Sequence, residues 1–108
     1  MKKTTFDIPF DVIVMSEALG KSLKIARKRR GMTQREVALR IGSTREVVLN
    51  AEKGKSITSY NLFAILWLYG LLYQAIDAVS DDKDVIGMSH EKSRLPQRVR
   101  EKKSDNDF

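Results

Sequence analysis

Along this chain, stretches in which apolar residues recur every three or four positions alternate with short polar breaks, most of them marked by glycine. Ser16 offers an N-cap, Leu19, Leu23, Ile25 and Ala26 follow at helical spacing, and Gly31 supplies a stop, which predicts a first helix over 16–30. Gly20 lowers the intrinsic propensity of that segment, so packing has to hold it. Thr33 and Glu36 stand at capping-box spacing and predict a second helix from about Gln34 to Ile41, with Val37, Ala38 and Ile41 on its inner face. Gly42 ends that helix and Thr44 recaps the chain at once, so a third helix spans about Arg45 to Glu52. Within it Val48 and Ala51 point inward, while Arg45, Glu46, Leu49 and Asn50 share the opposite face. Thr58 or Ser59 caps a fourth helix that ends at Gly70, and LLYQAIDAV predicts a fifth to about Val79. The fourth is apolar nearly all round: Leu62, Phe63, Ile65, Leu66, Trp67, Leu68 and Tyr69 cannot all face one small core.

The two ends read differently. Residues 4–14, TTFDIPFDVIV, are apolar and partly β-branched, and Pro9 forbids an uninterrupted helix across them; an arm or a short helical turn is expected. From Ser80 the chain turns polar, contains Pro96 and lacks sustained periodicity, which predicts a flexible, disordered basic tail. The expected organisation is all-α, with an N-terminal arm over 1–15, a five-helix domain over 16–79 and the tail over 80–108.

Length and composition narrow the chemistry. In 108 residues of which 42% are hydrophobic there is room for one modest core. With no cysteine and one histidine, His90 in the expected tail, thiolate or histidine metal sites have almost nothing to build on. Asp81, Asp82 and Asp84 read as a solvated acidic stretch rather than a metal site. No Ser/His/Asp set, phosphate-cradling glycine loop or spaced carboxylate pair is present, so no enzymatic activity, metal or cofactor is expected. The cysteine-free composition suits a reducing cytoplasm. No window holds eighteen uninterrupted apolar residues and no signal-peptide pattern opens the chain, so a soluble cytoplasmic protein with no membrane partner is expected.

The net charge of +6, from 20 Lys and Arg against 14 Asp and Glu, favours a polyanionic partner. KSLKIARKRR, residues 21–30, carries Lys21, Lys24, Arg27, Lys28, Arg29 and Arg30 with no acid. These cannot all face one duplex, and one or two phosphate contacts are expected from the run.

Two capped helices joined by a short glycine-containing turn make a helix-turn-helix, in which the second helix presents its N-terminal side chains to the major groove. TQREVALRIGSTREVVLNAEKG resembles the signature of the lambdoid-repressor (Xre, Cro/C1-type) helix-turn-helix family through Thr33, Gln34, Val37, Ala38, Gly42, Thr44, Val48, Glu52 and Gly54. The resemblance extends from about Leu19 to Gly70, and it implies a five-helix lambda-repressor-like DNA-binding domain. Carried over by position, it implies base contacts from Arg45, Glu46, Leu49 and Asn50. It implies phosphate contacts from Gln34, Arg35, Thr44, Lys53 and Lys55, and a structural role for Glu52. The side-chain chemistry agrees: Arg can fork onto guanine, Asn onto adenine, and Glu can accept from cytosine. Three departures stand out. Leu49 occupies a position more often polar, where it meets a thymine methyl or covers the stem of Arg45; Ala51 replaces a larger aliphatic; and the fourth helix is greasier than usual.

The surplus apolar surface around Phe63, Leu66, Trp67, Tyr69 and Tyr73 predicts a homodimer or partner interface, and paired recognition helices imply a palindromic double-stranded operator. SRLPQRVREKK is similar to the ending of HipB-like antitoxin regulators, which implies an operon-autoregulating repressor that also binds a HipA-type serine/threonine kinase toxin. The same segment reads equally well as a basic tail adding nonspecific DNA affinity. Two alternatives remain: a phage-type repressor without a toxin partner, and an adaptor whose fourth and fifth helices bind another protein.

Overall fold

Pro9 marks where the described chain begins to coil: its carbonyl accepts the amides of Val12 (3.0 Å) and Ile13 (3.3 Å), and its fixed φ of −58° needs no N–H of its own. The computed structural model describes residues 9–99, with side chains through Arg94. Its helices are α1 (Phe10–Arg29), α2 (Gln34–Ile41), α3 (Arg45–Glu52), α4 (Ser59–Tyr69), α5 (Leu72–Ala78), a 3-10 turn (Asp81–Lys83) and α6 (Val85–Val99). The architecture is all-α, with no strand among the described residues.

Two expectations about the ends change. Residues 10–15, expected in an arm or a short helical turn before a helix starting after Ser16, are helical and form the opening turns of α1, because proline is tolerated immediately before a helix. Residues 85–99 of the expected disordered tail are α6, started by Asp84, whose Oδ1 accepts the Gly87 amide at 2.9 Å. Among the described residues there are thus six α-helices rather than five. Residues 1–8 of the expected arm and 100–108 of the expected tail lie outside the described residues.

Residues up to Tyr73 form one compact unit and those from Gln74 a second. The core belongs to the first: Leu23 and Ala26 of α1, Val37 and Ala38 of α2, Val48 and Ala51 of α3, and Ile65 and Tyr69 of α4, with Met32, Ile41, Ile57, Leu62, Leu66, Leu68 and Leu71 packed around them. Val37, Val48 and Ile65 are the largest fully buried side chains, each contributing about 1.5–3 kcal/mol by leaving water. Gly20 is buried where α1 crosses the end of α3. A β-carbon there would lie 2.5 Å from the Glu52 carbonyl oxygen, so the low helix propensity is the condition of that crossing.

Capping sets the other boundaries. Thr33 and Glu36 form the full box, with the Glu36 amide donating to the Thr33 hydroxyl at 3.1 Å and the Thr33 amide to the Glu36 carboxylate at 2.8 Å. Thr58 Oγ1 accepts the Asn61 amide at 3.2 Å and opens α4. The all-round apolar character of α4 divides as expected for a helix with one face in the core: Ile65 and Tyr69 are buried, and Tyr60, Phe63 and Trp67 are exposed.

Candidate nucleic-acid interface

Between α2 and α3 the chain needs three residues. Gly42 takes the left-handed conformation at φ 68°, which a side chain rarely adopts. The Ser43 amide returns to the Ala38 carbonyl at 2.9 Å, and Thr44 accepts the Val47 amide at 3.3 Å to start α3. Val48 and Ala51 bury one face of α3 in the core. On the opposite face Arg45 and Glu46 are exposed, and Leu49 and Asn50 are half-buried. The base-reading set expected from the sequence therefore shares one accessible side of a helix anchored from behind. Lys53 and Lys55 are exposed just past its end.

A buried ion pair locks this arrangement. Arg27 of α1 donates from Nε to Glu52 Oε2 at 2.6 Å, from Nη2 to Oε1 at 3.1 Å and from Nη1 to the Met32 carbonyl at 3.0 Å. Gln34 adds a bond from Nε2 to Glu52 Oε1 at 3.0 Å. One carboxylate thus joins α1, α3 and the start of α2. The hydrogen bond to Glu52 holds the Arg27 pKa above its ordinary value, against the opposing effect of burial. Gln34, expected at a phosphate, is half-buried with its amide turned to Glu52; its backbone N–H remains at the N-terminus of α2.

Five cations converge beside that N-terminus. Lys24, Arg27 and Lys28 of α1, Arg35 of α2 and Arg45 of α3 line an open concavity of about 650 Å³ with Thr33 and Gln34, and no acid lines it. A concave surface lined by one sign of charge concentrates its potential on an approaching anion. Among the six cations of 21–30, Lys24 and Lys28 are those that reach this place exposed, one helical turn apart. They are absent from the motif-based expectation; the signal for them was only their spacing. Arg30 is spent elsewhere: it donates to the Tyr69 carbonyl at 2.7 and 3.1 Å and to the Ala26 carbonyl at 2.8 Å, and lies 5.5 Å from the Tyr69 ring centre. This cation caps the C-terminus of α4.

The expected partner surface needs a correction. Tyr69 is 3% exposed and belongs to the core, and Leu66 packs against that core, because α4 turns both toward α2 and α3. Phe63 (47%), Trp67 (64%) and Tyr73 (84%) are exposed. Arg35 and Thr44, expected at phosphate, are exposed at the openings of α2 and α3.

Residues 23–71 match a family model described as helix-turn-helix. The match spans a little under half of the chain, from the buried half of α1 through α4, and includes every residue expected at DNA. It supports the helix-turn-helix family broadly, one of DNA-binding regulators that are generally not enzymes. It carries no subtype. No match was found among curated proteins or among solved structures. No helix among the described residues is long and apolar enough to cross a membrane.

Proposed function

We propose that this chain is a dimeric, sequence-specific repressor that binds double-stranded DNA in the cytoplasm, with α3 in the major groove of each half of a palindromic operator. The single observation that carries the reading is α3 itself. One face is sealed in the core by Val48 and Ala51, and the other presents Arg45, Glu46, Leu49 and Asn50 beside a concavity whose charged lining residues are all cations. Base reading belongs to those four side chains, and phosphate contact to Arg35, Thr44, Lys53, Lys55 and the backbone amide of Gln34. Phe63, Trp67 and Tyr73 supply the surface for the second copy. The HipB-like antitoxin role, with a HipA-type kinase as partner, rests on the SRLPQRVREKK resemblance alone.

A duplex selected from a random library gives the operator, and titration of that operator with its single-base variants tests the reading. Arg45→Ala or Asn50→Ala should cost about 1–3 kcal/mol and relax discrimination at one base pair, whereas Lys53→Ala or Lys55→Ala should weaken all sequences alike and lower the salt slope by about 1. A loss after Arg45→Ala that is uniform across sequences refutes base reading. The second reading, an adaptor for another protein, is favoured by the exposed Tyr60, Phe63 and Trp67 on α4; selection that returns no duplex, together with a chain soluble only beside its partner, would establish it.

A further inference from the structure

The concavity beside the opening of α2 holds more charge and more room than a strand of DNA uses. Of its cations, Arg27 is engaged on Glu52 through two hydrogen bonds. Lys24 and Lys28 of α1, Arg35 of α2 and Arg45 of α3 are exposed, and none has an ion-pair partner among the described residues. Four positive charges from three helices thus face one space. A DNA strand spreads its charge, with one phosphate per about 3.4 Å of helix axis, so it brings only a few single charges to any one place. The volume of about 650 Å³ falls in the range of small-molecule sites, roughly 300–1,000 Å³. One part of the wall is not ionic: the half-buried Met32, just past the end of α1, lines it with a polarizable thioether against which an aromatic ring packs well.

We propose that this concavity binds a free nucleoside triphosphate, with the phosphates among Lys24, Lys28, Arg35 and Arg45 and the base against Met32. A triphosphate carries about four negative charges near neutral pH, its terminal phosphate close to two of them, and so matches the four cations. The ligand and the duplex exclude each other, because Arg35 and Arg45 serve both: in the DNA reading Arg35 meets a phosphate and Arg45 a base edge. Binding of the nucleotide stands without that reading, and only the exclusion rests on it.

Calorimetric titration of the full chain with ATP, free of divalent metal and in about 0.15 M salt, should give one site per chain. Inorganic tripolyphosphate should bind about threefold or more weakly for want of the base, and adenosine alone should give no measurable heat. Lys24→Ala and Lys28→Ala should each weaken ATP about threefold, and together about tenfold. Arg40→Ala removes an exposed cation of α2 outside the concavity and should leave ATP binding unchanged. At matched ionic strength, saturating ATP should weaken binding of the selected operator about tenfold. No heat with ATP, several sites per chain, equal affinity for tripolyphosphate, or a loss in Arg40→Ala equal to that in Lys24→Ala overturns the proposal; the last two mark a surface that takes any polyanion. ATP bound at one site beside an undiminished operator affinity overturns the exclusion. A chain that binds ATP and no duplex sinks the DNA reading and leaves the nucleotide site standing.

Discussion

At the scale of single residues, two buried polar groups in the first unit have opposite roles. The Tyr69 hydroxyl is buried with no hydrogen-bond partner among the described residues, and burial foremost pushes its pKa up to about 12. Between pH 10 and 12 the unfolded chain releases this proton while the folded chain keeps it, so the native state binds more protons and stability falls as pH rises. Tyr69→Phe should therefore be neutral or stabilising by about 1 kcal/mol at pH 7, since it removes an unpaired buried hydroxyl. It should also lessen the loss between pH 10 and 12 by up to about 2 kcal/mol relative to the parent, read from denaturant midpoints at each pH. Glu52 is the contrary case, because Arg27 and Gln34 both depend on it. Glu52→Ala should cost about 3–5 kcal/mol by leaving a buried guanidinium unpaired, and Arg27→Met with Glu52→Leu should recover most of that in the same unfolding measurement. Residue roles were legible where a motif carried them, as for Glu52. Tyr69 was not, because its sequence neighbours are as apolar as it is and only the roll of α4 decides which of them turns inward.

At the scale of elements, capping chemistry made α2 and α3 readable to the residue and narrowed the start of α4 to Thr58 or Ser59: Thr33 with Glu36, Thr44 and Thr58 bond as caps. The ends of the helical region were less legible for a physical reason. Pro9 and Pro96 both argue against a helix interior, yet one sits just before its helix and the other lies inside α6, whose start is set by the side chain of Asp84. The basic run in α1 shows the same limit, since composition counts six cations and only the fold separates them. Arg27 and Arg30 are held by Glu52 and by the carbonyl end of α4, leaving Lys24 and Lys28 at the concavity. Lys24→Ala and Lys28→Ala should each lower the salt slope of duplex binding by about 1 without altering base preference, and should leave the melting temperature unchanged, as expected of exposed ammonium groups. A melting temperature that drops with Lys24→Ala would assign that cation to structure and not to the anion.

At the scale of the molecule, the helix-turn-helix was legible as a unit because its turn, its caps and its core positions lie within some thirty residues of sequence. Outside it, Tyr60, Phe63 and Trp67 of α4 and Val85, Ile86 and Met88 of α6 are exposed apolar side chains, the kind of surface that interaction sites use. Trp67 tests this for the repressor reading. It is 64% exposed, so Trp67→Glu should leave the unfolding free energy of the chain within about 1 kcal/mol of the parent's. If α4 joins two copies, the same substitution puts a charge into the apolar contact, and the sedimentation mass should fall at any one concentration. Binding to a palindrome should then drop to the affinity of a half-site, since paired recognition helices gain from presenting two copies about 34 Å apart. An unchanged mass with unchanged operator affinity would move the dimer contact away from α4.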